Sequence, residues 1–114
     1  MSYDVSVNCT HCGCTVVDAN YTTNMAWLWR HEGCDLREYD GKQALEMLPR
    51  LQIAIDAMES EISVFGDQAY KHNPETKNSF PSNGWGDVHS CLGFLKDLRD
   101  GLCRCPDGIV RVSY

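Results

Sequence analysis

The run Cys9-Thr10-His11-Cys12-Gly13-Cys14 is answered by His31-Glu32-Gly33-Cys34, and how these two stretches are read decides the fold. Cys9 and Cys12 have two residues between them, as do His31 and Cys34; eighteen residues lie between the pairs, giving C-x2-C-x18-H-x2-C. Zn²⁺ takes four nitrogen and sulfur ligands at tetrahedral corners, and no single turn supplies all four. Two clips that each deliver two ligands can, with Gly13 and Gly33 free to turn tightly beneath the metal. The spacing therefore predicts a structural zinc site on Cys9, Cys12, His31 and Cys34. Cys14, Cys103 and Cys105 are further donors. The alternative set is Cys9, Cys12, Cys103 and Cys105, since Cys103-x-Cys105 leads into a final strand that could lie beside the first clip. A second metal is compatible with this count.

Around that centre the pattern predicts an α+β domain spanning 1–114, with a zinc-stapled hairpin and first helix over 1–40 and helices plus a closing strand over 41–114. Tyr3–Val7 alternates as a strand does, and Thr15-Val16-Val17 is a β-branched second strand, with the clip at the hairpin tip. Asp18-Ala19-Asn20 reads as a turn, and Thr22-Thr23-Asn24 as the cap of a short helix carrying Trp27 and Trp29. Packed antiparallel to the second strand, that helix would return His31 and Cys34 to the clip. The two tryptophans fall on opposite sides of the helix, so one of them is free to serve as a binding anchor.

Further along, Ala44, Leu48, Leu51, Ile55 and Met58 share a helical face that Pro49 interrupts. Proline suits a first turn and costs about 3 kcal/mol inside a helix, so a short helix over 42–48 and a second one from Pro49 are expected. Glu61–Tyr70 adds a turn or two with Ile62, Phe65 and Ala69 inward, and 71–86 is loop. Asp87 caps an amphipathic helix whose stripe is Val88, Cys91, Leu92, Leu95, Leu98 and Leu102. Ile109–Val112 closes an antiparallel sheet of about three strands, packed on three to four helices.

Composition narrows the function classes. Hydrophobic residues make up 43% of the chain, enough for a packed core. No apolar run approaches the roughly 20 residues of a membrane span. Met1-Ser2-Tyr3-Asp4 lacks the basic start and apolar stretch of a secretory signal, so the cytoplasm is the expected compartment. There seven cysteines, an odd count, favour metal over disulfides. A net charge of −6 disfavours direct binding to phosphates and suits a partner protein with a basic surface. A redox CxxC would sit at a helix N-terminus, where the dipole lowers a thiol pKa; β-branched residues follow this one instead. Asn20, Asn24 and Trp85, with the Asn83–Gly86 turn, are candidate lining for a polar pocket. Their simpler use is to cap helices and shape a loop. His89 and Cys91 point in different directions on a helix and form no nucleophile pair.

Residues 9–34 resemble one zinc module of the LIM type, without the second module that should follow directly. Over nearly the whole chain, YDVSV, CTHCG, NYTTNMAWLWR, LREYDGKQALEMLPRLQIAIDAM, NGWGDV, FLKDL and PDGIVRVS resemble a family of small phage and prophage proteins. The resemblance implies a non-catalytic protein acting in the cytoplasm of a bacterial host. It points to the zinc-binding anti-CRISPR proteins that inhibit Cas9, here by blocking nucleic-acid loading. Two other functions are compatible with the residues: a sponge for defence signalling nucleotides, and a zinc-ribbon regulator associated with DNA. An enzyme is not expected, because four protein ligands leave zinc no open position for water.

Overall fold

In the computed structural model, which describes residues 2–80 and 87–114, the first strand is the middle of the sheet. β1 (Ser2–Asn8) pairs antiparallel with β2 (Thr15–Thr22) on one side and with β3 (Ile109–Ser113) on the other. The register pairs Tyr3 with Tyr21, Val5 with Ala19 and Val112, and Val7 with Val17 and Val110. Alternation then sends one set inward: Tyr3, Val5, Val7, Val17, Val110 and Val112 are buried, while Asp4, Asp18, Asn20 and Arg111 face solvent.

β2 runs on to Thr22, so the turn expected at Asp18-Ala19-Asn20 is not there. The reason is the period of two: Asp18 and Asn20 are polar but sit on the solvent face, while Ala19 and Tyr21 keep the inward one. Thr22 then caps the chain's next turn, its hydroxyl accepting the Asn24 N–H at 3.3 Å. The short α1 (Ala26–His31) follows. Trp29 is fully buried on the edge of Tyr3, ring centres 5.0 Å apart, and Trp27 is half-buried against Tyr70 and Phe80.

One helix, α2 (Ala44–Phe65), replaces the two expected on either side of Pro49. Ala44, Met47, Leu51, Ala54, Ile55 and Met58 are all fully buried at helical spacing. Each large apolar side chain so buried contributes about 1.5–3 kcal/mol, and together they outweigh the proline. Pro49 itself lies on the exposed side, where water can satisfy the carbonyl it leaves unbonded. In the last turns of α2 Ile62 is half-buried as expected, but Phe65 is 41% exposed and stacks on His72; Ala69, beyond the helix, is buried as expected.

α3 (Val88–Arg104) carries the expected stripe of Val88, Cys91, Leu92, Leu95, Leu98 and Leu102, all buried, and Phe94 and Gly101 join them. It starts on a reciprocal cap: the Asp87 carboxylate accepts the Ser90 N–H at 2.8 Å and the Ser90 hydroxyl accepts the Asp87 N–H. α3 packs on α2 and on β2, running antiparallel to that strand, with Ser90 beside Tyr21 and Gly101 beside Val17. The architecture is α+β: a three-stranded antiparallel sheet with an N-terminal hairpin and three helices. Among the described residues no helix is long and apolar enough to cross a membrane.

Candidate functional site

The hairpin tip is built by the cysteine clip itself. The Cys9 N–H donates to the Cys14 carbonyl at 2.8 Å and the Gly13 N–H to the Cys9 carbonyl at 3.0 Å, closing a tight loop. Gly13 has φ +75°, a conformation that side-chain-bearing residues rarely adopt. Inside this loop the His11 N–H points at the Cys9 sulfur, 3.4 Å away.

A second turn arrives from the far end of the chain. After α3, Cys105-Pro106-Asp107-Gly108 folds back with the Gly108 N–H on the Cys105 carbonyl at 3.0 Å. The register Asn8↔Ile109 lays the residues just before Ile109 against those just after Asn8. Gly108 makes the fit possible, because a Cβ there would lie 2.4 Å from Val7 Cγ1 and 3.0 Å from Cys105 Sγ. The same turn starts α2. Gln43 offers no side-chain cap, and the orphan N–H groups of Ala44 and Leu45 donate instead to the carbonyls of Gly108 and Pro106.

Cys105 is thereby brought beside Cys9, and Cys9, Cys12 and Cys14 follow one another round the loop. All are free thiols. Backbone N–H groups of Cys12 and His11 aimed at the sulfur hold the Cys9 thiol below its ordinary pKa, with smaller help from Cys12 and Cys105. Desolvation, followed by the neighbouring Cys9, pushes Cys105 up. Cys12 is drawn down by the Cys14 N–H, but the Cys14 and Cys9 side chains outweigh it and the net shift is upward. The Cys9 thiol is thus shifted towards its thiolate, and those of Cys12 and Cys105 away from it. Thiolates are the metal-binding form. The four thiols lie in a row, Cys105, Cys9, Cys12, Cys14, and not in a shell. Among the described residues no group of three or more His, Cys, Asp or Glu is gathered to hold a metal ion.

His31 and Cys34 are not brought to this clip. α1 begins at the opposite end of β2 from the hairpin tip. Six helical residues at about 1.5 Å each advance roughly 9 Å, whereas eight strand residues at about 3.3 Å cover roughly 26 Å, so α1 cannot run the distance back. His31 ends α1 edge-on to Tyr70, ring centres 6.0 Å apart. Cys34 is fully buried, its N–H on the Trp29 carbonyl, and burial pushes its thiol up to about 12. It is a core residue. Cys103 is exposed in the last turn of α3 and Cys14 is exposed at the tip.

Of the polar-pocket candidates, Asn20 is committed to the sheet, its side-chain amide donating to Asp4 Oδ1 and to Ser2 Oγ. Asn24 is exposed after the Thr22 cap. Trp85 and the Asn83–Gly86 turn lie outside the described residues. A groove of about 610 Å³ does run between β2 and α3, lined by Val16, Asp18, Asn20, Gly93, Asp97 and Arg104 among others. Asn20 belongs to it and Asn24 does not. The residues that sequence reasoning passed over are Gly108, Asp18 and Asp97. The turn-forming tetrapeptide Cys105-Pro106-Asp107-Gly108 was the available signal for the first, and nothing in the sequence pairs the other two.

No family model, curated protein or solved structure matches this chain.

Proposed function

We propose that the protein works by binding and performs no chemistry, with zinc held at the hairpin tip by Cys9, Cys12 and Cys105, and Cys103 or Cys14 as the fourth donor. The observation that carries this reading is the nearness of Cys9 to Cys105, brought from opposite ends of the chain to one point with backbone N–H groups aimed at the Cys9 sulfur. Zinc would join the hairpin to the turn that starts α2 and β3, so metal binding and folding would be linked. Soft sulfur donors suit zinc, and gathering them into one shell requires the exposed clip to close on Cys105.

The partner fits the charge. A chain of net charge −6 docks on a basic protein surface, and the resemblance to phage proteins makes a host defence nuclease, Cas9, the partner of choice. A nucleotide sponge is less favoured, since phosphates placed in the β2–α3 groove would face Asp18 and Asp97, with Arg104 the one lining cation among the described residues.

Elemental analysis of protein never exposed to chelator tests the metal. One zinc per chain is expected, lost in Cys9→Ser and Cys105→Ser and kept in Cys34→Ala; zinc-free wild type overturns the site. Capture of Cas9 at low salt, weakening as salt rises, tests the partner. Capture that ignores salt, or none, removes it.

A further inference from the structure

The two edges of the sheet are treated differently. β3 is covered: Val110 exchanges backbone bonds with Gly41 and Lys42, the Val112 N–H donates to Asp40 Oδ1, and Gln43 bridges to Ile109. This also fixes which way every backbone group in the sheet points. Val110 and Val112 face outward, so Ile109, Arg111 and Ser113 bond to β1 through Asn8, Ser6 and Asp4. Tyr3, Val5 and Val7 must then bond to β2, through Tyr21, Ala19 and Val17. The N–H and C=O groups of Asp18 and Asn20 are left facing away from the sheet. Among the described residues no other segment bonds to them.

An open edge is a template for one more strand. Here it is not a bare edge, because the β2–α3 groove lies alongside it and supplies a floor. Gly93 faces this floor on the exposed side of α3, and a Cβ there would meet nothing within 4 Å. We infer that the free edge of β2, with the groove beside it, receives an extended segment of a partner protein that carries lysine or arginine at alternate positions. Such a segment adds as a fourth strand by main-chain pairing with Asp18 and Asn20; its basic side chains, all on one face, meet Asp18 on the solvent face of the sheet, and the side chains between them lie over the α3 floor.

Charge also decides against a second copy of this chain. Antiparallel self-pairing centred on Asp18 sets its carboxylate opposite that of its own copy, where like charges are destabilising, and the register centred one residue on still leaves the two carboxylates diagonal neighbours on one face. The bulge at Val16, where β2 has one residue more than β1 between Val7 and Asn8, further breaks a symmetric ladder.

This inference deepens the binding reading by naming the surface, and the two fail separately. The probe is the acetylated peptide Lys-Val-Lys-Val-Lys-Val-Lys, titrated into ¹⁵N-labelled protein beside its Glu-for-Lys counterpart. Expected are shifts and slowed exchange at the Asp18 and Asn20 amides with the lysine peptide and none with the glutamate peptide. Asp18→Lys should weaken the lysine peptide about fivefold and admit the glutamate one. Gly93→Leu, which fills the groove and suits a helix, should abolish binding without lowering the melting temperature. Equal binding of both peptides, shifts confined to other residues, or no binding overturns the inference. So does concentration-dependent self-association that protects Asp18 and Asn20 without peptide. If these fail while Cas9 capture persists, only the β2 edge is wrong; if capture fails while the peptide binds, only the partner is wrong.

Discussion

Gly101 of α3 lies so close to Val17 of β2 that a Cβ on it would sit 2.1 Å from Val17 Cγ2. The helix can lie flat on the strand only because nothing projects there. Gly101→Ala should therefore destabilise the protein by about 2 kcal/mol, the forced shift of helix from strand exceeding the gain in helix propensity. Gly93, on the same helix with open space around it, is the control: Gly93→Ala should stabilise by about 1 kcal/mol. Denaturant midpoints of the two variants should move in opposite directions.

Pro49 is tolerated, not required. Its place inside α2 costs about 3 kcal/mol of helix, against which its stiffening of the unfolded chain returns about 1. Pro49→Ala should raise stability by about 2 kcal/mol with the helix content unchanged. A loss of stability would mean that the proline shapes α2 for its packing.

Cys34 and Cys91 make the protein sensitive to alkali. Burial pushes both thiols up to about 12 from an ordinary value of 9.0. Folded pKa values above the unfolded ones give stability that is full below pH 9 and is lost as pH rises towards 12. Three pH units correspond to up to about 4 kcal/mol per thiol, comparable with the whole stability of many domains. Burial raises the hydroxyls of Tyr21, Tyr39 and Tyr70 too, with the same sign. Urea midpoints should fall steeply between pH 9 and 11, and less steeply in the Cys34→Ala, Cys91→Ala double variant.

Thiol reactivity should rank by environment. Cys9 is held towards its thiolate by the N–H groups of Cys12 and His11 and lies at the hairpin tip, so iodoacetamide at neutral pH should label it before Cys105. Cys34 and Cys91, both buried, should react only after unfolding. Adding zinc should slow labelling of Cys9 and Cys105 together. Mass spectrometry of the alkylated peptides checks each step.

Much of the fold could be read from periodicity. The stripe of α3 and its Asp87 cap follow from spacing alone, and Tyr3–Val7 and Ile109–Val112 show their alternation directly. Asp18 and Asn20 misled because turn-forming residues and the solvent face of a strand share the same polar chemistry. Pro49 marks a break by local preference alone, and the burial of Met47 and Leu51 on either side overrides it. At the candidate site, Cys9 and Cys12 were legible as a clip. Two pairs are offered to answer them, His31 with Cys34 and Cys103 with Cys105, and spacing along the chain cannot rank the two because it carries no distance in space. A six-residue α1 leaves Cys34 in the core, while the Asn8↔Ile109 register brings Cys105 from the far end.

The order of strands, β2-β1-β3, has a consequence for how the protein is made. β1 leaves the ribosome well before its second neighbour, Ile109–Ser113, and the first turn of α2 waits for the carbonyls of Pro106 and Gly108. During synthesis the hairpin can form, but its Asn8, Ser6 and Asp4 edge stays unpaired until β3 emerges. Until the residues between β2 and β3 are made, the nascent chain therefore displays a strand that other chains or a chaperone can seize, and a ribosome stalling before Ile109 would leave the sheet unfinished.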